Sequence, residues 1–235
     1  MPFNYEKQIF YKVNFDEVGE SILNEWGNVF ESEIIFEQYI NEWMNLLKEK
    51  EIFCTKKLKK LSKLERAVAL SKEGQMFQTS YLIGKTTIYL HFRISKLLSQ
   101  LRLEKFYGQD IETSIFNKAD SVINWDKDID ISEYSSCSKE PILIIPMPGS
   151  NTQYELIDGN HRLKKYLLTN KRTIKGYVLN EKTIFDGNYI GGSMEKLFYL
   201  FLMEYDNFGY VSKKKKISIQ EMRDLSYLYT NKYMF

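Results

Sequence analysis

Cysteine, histidine and proline are scarce in this sequence, and it has no long apolar run. Its two cysteines, Cys54 and Cys137, lie far apart with no CxxC spacing. A disulfide framework is therefore not indicated, and reduced thiols in a cytoplasmic protein are expected. The two histidines, His91 and His161, could build a metal centre only with scattered carboxylates or both thiols, so no metal site is expected. The greasiest stretches, "PILIIP" and "KLFYLFLM", fall far short of the roughly 20 residues that span a bilayer. The beginning, "MPFNYEKQIFYKVNF", lacks the apolar core of a signal peptide, and no membrane partner is expected. Only 4 prolines and no low-complexity tract argue against long disorder. An excess of one charge is missing too. Lys and Arg number 33 against 31 Asp and Glu, a net charge of +2, so contact with nucleic acid would need a local basic patch.

What is present suits one large domain or two small ones, at 235 residues with 43% hydrophobic. The first half reads as helical. "FDEVGESILNEWGNVF" spaces Val18, Ile22 and Trp26 by four. "SEIIFEQYINEWMNLLKEK" stripes Ile35, Tyr39, Trp43 and Leu47 along one face, with Ser32 as its cap. Such stripes are core rather than a ligand box. A run of lysines follows, Lys56, Lys57, Lys59, Lys60 and Lys63, which reads equally as a solvated face or a phosphate-backbone contact.

Between Ser62 and Leu103 the pattern predicts two helices about a glycine turn. Ser62 caps a helix carrying Leu64, Val68 and Leu70. Gly84 breaks the chain, and a helix over Thr86 to Leu103 packs Ile88, Phe92, Leu97 and Leu101. That layout is the helix-turn-helix, and "LIGKTTIYLHFRISKLL" resembles the turn and reading helix of bacterial DNA-binding regulators. On this reading Lys85, Thr86, Thr87, Tyr89, His91 and Arg93 face a DNA groove, and the alternative is a plain helical scaffold. The polar, acidic stretch 116–139 reads as a linker.

The second half carries the chemistry. "PILIIPM" and "YELI" read as strands joined by the turn "PGSNTQ", "NHRLKKYLLTN" as a helix and "KRTIKGYVLN" as a further strand. Asp158, Gly159, Asn160, His161 and Arg162 fall at the strand-to-helix junction. A helix start exposes unpaired N–H groups and a partial positive charge. Gly159 permits a sharp turn there, and Asn160 is placed to cap. A His161–Arg162 pair in the first turn opposes the helix dipole, which points to an anion as its purpose, phosphate above all. Asp158 orients a cation, holds magnesium or takes a proton from an attacking hydroxyl. The plainer alternative is a cap with Asp158 paired to Arg162 four residues on.

Residues 140–180, and "LIDGNHRLKK" above all, resemble the fold shared by the ParB N-terminal domain and sulfiredoxin. The resemblance implies a phosphate loop of Gly159, Asn160, His161 and Arg162, catalytic roles for Asp158 and His161, and a nucleoside di- or triphosphate ligand with or without Mg2+. Asn160 stands where sulfiredoxins carry their cysteine, so sulfinate repair is not implied. ParB-like nucleases belong to the same group. "DGNHR" also resembles the box of free-serine kinases, which would add a catalytic glutamate, with Glu133, Glu140 and Glu155 as candidates. Beyond residue 180, "MEKLFYLFLMEYDNFG" is an apolar helix, a packing face or a homodimer contact, and "ISIQEMRDLSYLY" a final short helix. The expected architecture is α+β: an all-helical region 1–115 containing a helix-turn-helix at 62–103, a linker 116–139, and a small ParB/sulfiredoxin-like mixed α/β domain with C-terminal helices over 140–235. The expected function is nucleotide or phosphate binding in a DNA-associated regulator, with a small-molecule phosphotransferase, a nuclease and a non-catalytic interaction protein as alternatives.

Overall fold

The computed structural model describes residues 2–7, 9–62, 64–65, 74–132, 140–150 and 152–230. The protein is mixed α+β and divides into two interleaved compact units. One consists of Met1–Glu73, Gln78–Phe92 and Ile190–Phe235, and the other of Gly74–Phe77 and Arg93–Tyr189. The boundaries expected at 115 and 139 are not these. Composition changes there, but the strand pairings and helix packing that define a unit are made between residues distant in sequence.

In the first unit, strands β1 (Phe3–Asn4) and β2 (Ile9–Phe10) pair antiparallel. Helices α1 (Phe15–Glu25) and α2 (Glu33–Lys59) follow, each with the expected apolar stripe. Ser32 Oγ accepts from the Ile35 N–H (3.3 Å), as its position before the stripe predicts. Every buried residue of α2 lies between Phe36 and Leu47, and the lysine-rich end carries none. The greasy C-terminal segment forms α6 (Ser193–Ser212), which buries most residues from Met194 to Glu204. Phe201 stacks on Trp26 and meets Trp43, with ring centroids 5.8 and 5.6 Å apart. Aromatic area of this kind is the main cohesive term of the unit.

Two short helices close it, α7 (Ile219–Leu225) and α8 (Tyr227–Thr230). A reciprocal capping box opens α7. Ser218 Oγ accepts from the Glu221 N–H (3.2 Å), and Glu221 Oε2 accepts from the Ser218 N–H (2.9 Å). The Ser218 backbone bond, then its hydroxyl and Lys215, hold the Glu221 carboxyl down at about 2. A depressed folded value means the contribution is present above the ordinary value of 4.5 and lost as pH falls to about 2. The protection factors of the amides at residues 218–222, taken relative to intrinsic exchange at each pH, should therefore fall as pH falls across that window in wild type and not in Glu221→Gln; the same acid profile in both would remove the box from the account.

The segment expected to be a helix-turn-helix is different. Residues 66–73, and with them most of the helix expected after Ser62, lie outside the described residues, as does Lys63. Ser62 and Glu65 do form a local cap pair (Glu65 N to Ser62 Oγ, 3.2 Å). Beyond it, β3 (Met76–Ile83) and β4 (Thr86–Arg93) are strands of one two-stranded sheet. The link between them is Gly84-Lys85, with Gly84 at φ +57°, and so short a link permits only antiparallel pairing. The helix expected over Thr86 to Leu103 is thus a strand to Arg93 and a helix, α3 (Ile94–Leu103), after it. Ile88 and Phe92 are four apart, a spacing common to one helix face and one strand face. Leu90 between them is buried as well, and a period of two is a strand's. Thr86, Thr87 and Tyr89 add β-branched and aromatic preference for the extended state.

The second unit is built on a five-stranded sheet in the order β5-β9-β7-β8-β6: β5 (Gln109–Glu112), β6 (Ile123–Asn124), β7 (Ile142–Pro146), β8 (Tyr154–Asp158) and β9 (Thr173–Val178). The strand, strand, helix, strand order expected for 140–180 is present, with α4 at Asn160–Leu168 and α5 at Glu181–Asp186 beyond it. All of β7 is buried, as its β-branched run predicts. The described part of the stretch 116–139 is not a linker. Phe116 and Trp125 sit in the core, the Trp125 indole donates to the Phe116 carbonyl (3.0 Å), and β6 adds parallel to β8. Its acidic residues hid a few buried apolar anchors.

Candidate functional site

The junction between β8 and α4 begins with an irregularity. Leu143 pairs with Asp158 and Ile144 with Leu156, so two residues of β8 stand against one of β7. Such a bulge twists the strand and re-aims the residues that follow it. Asp158 ends the strand, and Gly159 turns at φ +103° and ψ 17°. A Cβ at 159 would lie 2.6 Å from Ile142 Cγ2 and 2.9 Å from Arg162 Nη2. Glycine is required here by both backbone and space.

Gly159 is itself the N-cap of α4, and as a glycine it brings no capping side chain of its own. Its first intrahelical bond runs from the Leu163 N–H to the Gly159 carbonyl (2.9 Å). Asn160, expected as the cap, is instead the first helical residue. Its Oδ1 accepts from the Asp126 N–H (3.0 Å), and its amide donates to the Leu156 carbonyl (3.4 Å). Lys164, one turn on, donates to the carbonyls of Lys127 and Ile129 (2.9 and 2.7 Å). Asn160 and Lys164 thus fasten the 126–129 loop along the first turns of α4. His161 is half-buried in the first turn.

Arg162 Nη2 meets Asp158 Oδ2 at 2.9 Å, with both side chains only 17% exposed, and also donates to the Pro141 carbonyl (3.2 Å). Its Nε–H is buried with no hydrogen-bond partner among the described residues. An orphaned buried donor costs roughly 1–3 kcal/mol, so an acceptor supplied from outside would be favoured. Asp158 and Arg162, a pair that the sequence left open as ligand-holding or self-satisfying, are in direct contact.

Of the glutamates weighed for phosphotransfer, Glu133 lies outside the described residues and Glu140 pairs with Arg102 at 2.9 Å. Glu155 takes both its oxygens to the Asn124 amide (3.1 and 3.0 Å), and burial pushes its carboxyl above the usual range. Among the described residues no three His, Cys, Asp or Glu side chains gather as metal ligands would.

The residues expected to read DNA are not on a helix. Lys85 is in the hairpin turn, and strand alternation sends Thr86 to the face opposite Thr87 and Tyr89. The Tyr89 N–H donates to Tyr11 Oη (2.8 Å), and the two rings meet edge-on at 5.2 Å. Arg93 donates to the Asn188 carbonyl (3.1 Å) within the second unit. His91 is buried against Glu195. Thr87, Tyr89, His91 and Arg93 share one face of the strand, but His91 on it is buried, and the helical spacing behind the expected groove-facing surface is not present.

Two buried polar clusters gave no signal in the sequence. One joins His91, Glu195 and Gln78. The other centres on Glu204, held by Tyr39, Trp43 and Ser226. Their members are far apart in the chain, and no local pattern connects them. Among the described residues no helix is long and apolar enough to cross a membrane. No protein-family model, curated protein or solved structure matches the chain.

Proposed function

We propose that this protein binds a phosphate-bearing ligand, a nucleoside di- or triphosphate, at the start of α4, as the likeness of "LIDGNHRLKK" to the ParB/sulfiredoxin group implies. The observation that carries the reading is the helix start opened by left-handed Gly159, which brings no capping side chain, with the Arg162 Nε–H buried beside it and unpartnered among the described residues. Backbone N–H groups at a helix start favour an oxyanion, and a guanidinium adds charge and direction. Asp158 holds the guanidinium by one nitrogen, so the fork is fixed before a ligand arrives and loses little freedom on binding. The DNA-associated part of the expectation rested on a helix-turn-helix and does not carry over.

A second reading has its own support. The Asp158–Arg162 ion pair and the bond to the Pro141 carbonyl also describe an internal latch tying β8, α4 and β7 together in a protein that acts through contact alone. Calorimetric titration with ADP, ATP and inorganic phosphate, with and without Mg2+, separates the two. Binding in wild type that weakens by about 100-fold in Arg162→Ala, roughly 2.7 kcal/mol, supports the seat. A folded wild type that takes up none of the three, with Arg162→Ala lowering only the melting temperature, supports the latch.

A further inference from the structure

A cavity of about 430 Å³ lies in the first unit, away from the α4 junction in sequence. Lys57, Leu58 and Leu61 line it from the end of α2 and the residues just after. Ser193, Met194 and Glu195 line it from the start of α6. Its walls are chiefly apolar. Ser193 Oγ and Cys54 Sγ are 3.1 Å apart and satisfy each other.

Glu195 is backed by a buried imidazole. Its Oε2 accepts from the His91 backbone N–H and stands 3.0 Å from His91 Nδ1. The other ring nitrogen, Nε2, is 2.9 Å from Gln78 Oε1. That oxygen also accepts from the Tyr5 N–H (2.7 Å), so it is an acceptor and Nε2 carries a hydrogen. The contact between Nδ1 and Oε2 requires a hydrogen as well, since two lone pairs would repel at that distance. Whether this hydrogen is assigned to the ring or to the carboxyl, the Glu195 carboxyl is engaged by the imidazole. Among the described residues the other charged residue of the lining is Lys57. Lys57 is exposed, its Nζ 4.9 Å from the centre of the Phe53 ring.

We infer that this cavity is a binding site for an apolar monocarboxylic acid, its hydrocarbon against Leu58, Leu61 and Met194 and its carboxylate at Lys57. An apolar amine would meet like charge at Lys57 with no uncompensated acid to receive it. A neutral alcohol would bury the same hydrocarbon and forgo the ion pair. The inference is independent of the phosphate seat.

Octanoate, octan-1-ol and octylamine, each below its aggregation limit, would be titrated calorimetrically into the full chain. Octanoate should bind saturably at one site, more tightly than the alcohol, and octylamine should not bind. Lys57→Met should weaken octanoate about tenfold and bring it level with the alcohol, a loss of about 1.4 kcal/mol. Leu58→Trp should block the cavity while the melting temperature holds, and Arg162→Ala should leave octanoate binding unchanged. Absence of octanoate binding by the folded chain, equal binding of octylamine, or full affinity in Lys57→Met would each overturn the assignment.

Discussion

Replacing Glu204 by alanine should destabilise the protein by about 4 kcal/mol, the largest single-residue effect expected outside a ligand site. Glu204 is 2% exposed. Its Oε1 accepts from Tyr39 Oη (2.9 Å), Trp43 Nε1 (3.0 Å) and Ser226 Oγ (2.7 Å), and its Oε2 accepts from the Tyr227 N–H. One carboxylate thereby ties α2, α6 and the α7–α8 junction together. Truncation leaves three buried donors and the half-buried Tyr227 N–H without this acceptor and opens a void beside Trp43. Glu204→Gln should cost less, about 2 kcal/mol, because the amide oxygen can serve three donors while its NH2 opposes the fourth. Urea denaturation measures both, and equal losses for the two variants would mean that volume rather than hydrogen bonding sets the cost. Burial pushes the Glu204 carboxyl above its usual range, and the four donors offset only part of that shift. An acid raised in the folded state contributes most below the ordinary glutamate value and loses that contribution as pH rises through the folded one. Wild-type stability should therefore carry a downward slope with pH above about 4.5 that Glu204→Gln lacks.

Gly159→Val should be nearly as costly, about 3 kcal/mol, and should abolish phosphate binding with it. At φ +103° a β-branched residue is strained, and its Cβ would press on Ile142 and on the Arg162 guanidinium at once. Gly159→Ala meets the same contacts with less bulk and should cost about 2 kcal/mol. Thermal denaturation gives the stability, and ADP titration of the folded fraction gives the binding. A valine variant that melts with wild type would show that the left-handed turn is not formed in solution. One that melts lower yet binds ADP normally would place the ligand elsewhere.

The legible parts of the fold were those in which neighbouring residues determine the outcome. The α2 stripe and its Ser32 cap, the wholly buried β7, and the strand–glycine–helix junction at Asp158–Arg162 were each apparent from spacing and residue type. The hairpin at Met76–Arg93 is not legible locally, because Ile88 and Phe92 satisfy two periods at once and Leu90, which separates them, lies between residues that also suit a helix. The 116–132 stretch resembles a linker in composition because its acidic residues outnumber the Phe116, Ile123 and Trp125 anchors that fix it to the core.

Within the candidate site, the sequence placed the glycine and both ionic partners at one turn, since all lie within five residues. It left open whether Asp158 faces Arg162 or a ligand, because that depends on the β8 bulge and on the Pro141 carbonyl across the sheet. It could not indicate Asn160 as an anchor for the 126 loop in place of a cap. Nor could it join His91 to Glu195 across 104 residues, or Tyr39 to Glu204 across 165. Backbone preference and side-chain periodicity act over a few residues, so the local chain already determines them. Burial, proton sharing and the pairing of charges depend on distances through space, and only the folded chain sets those.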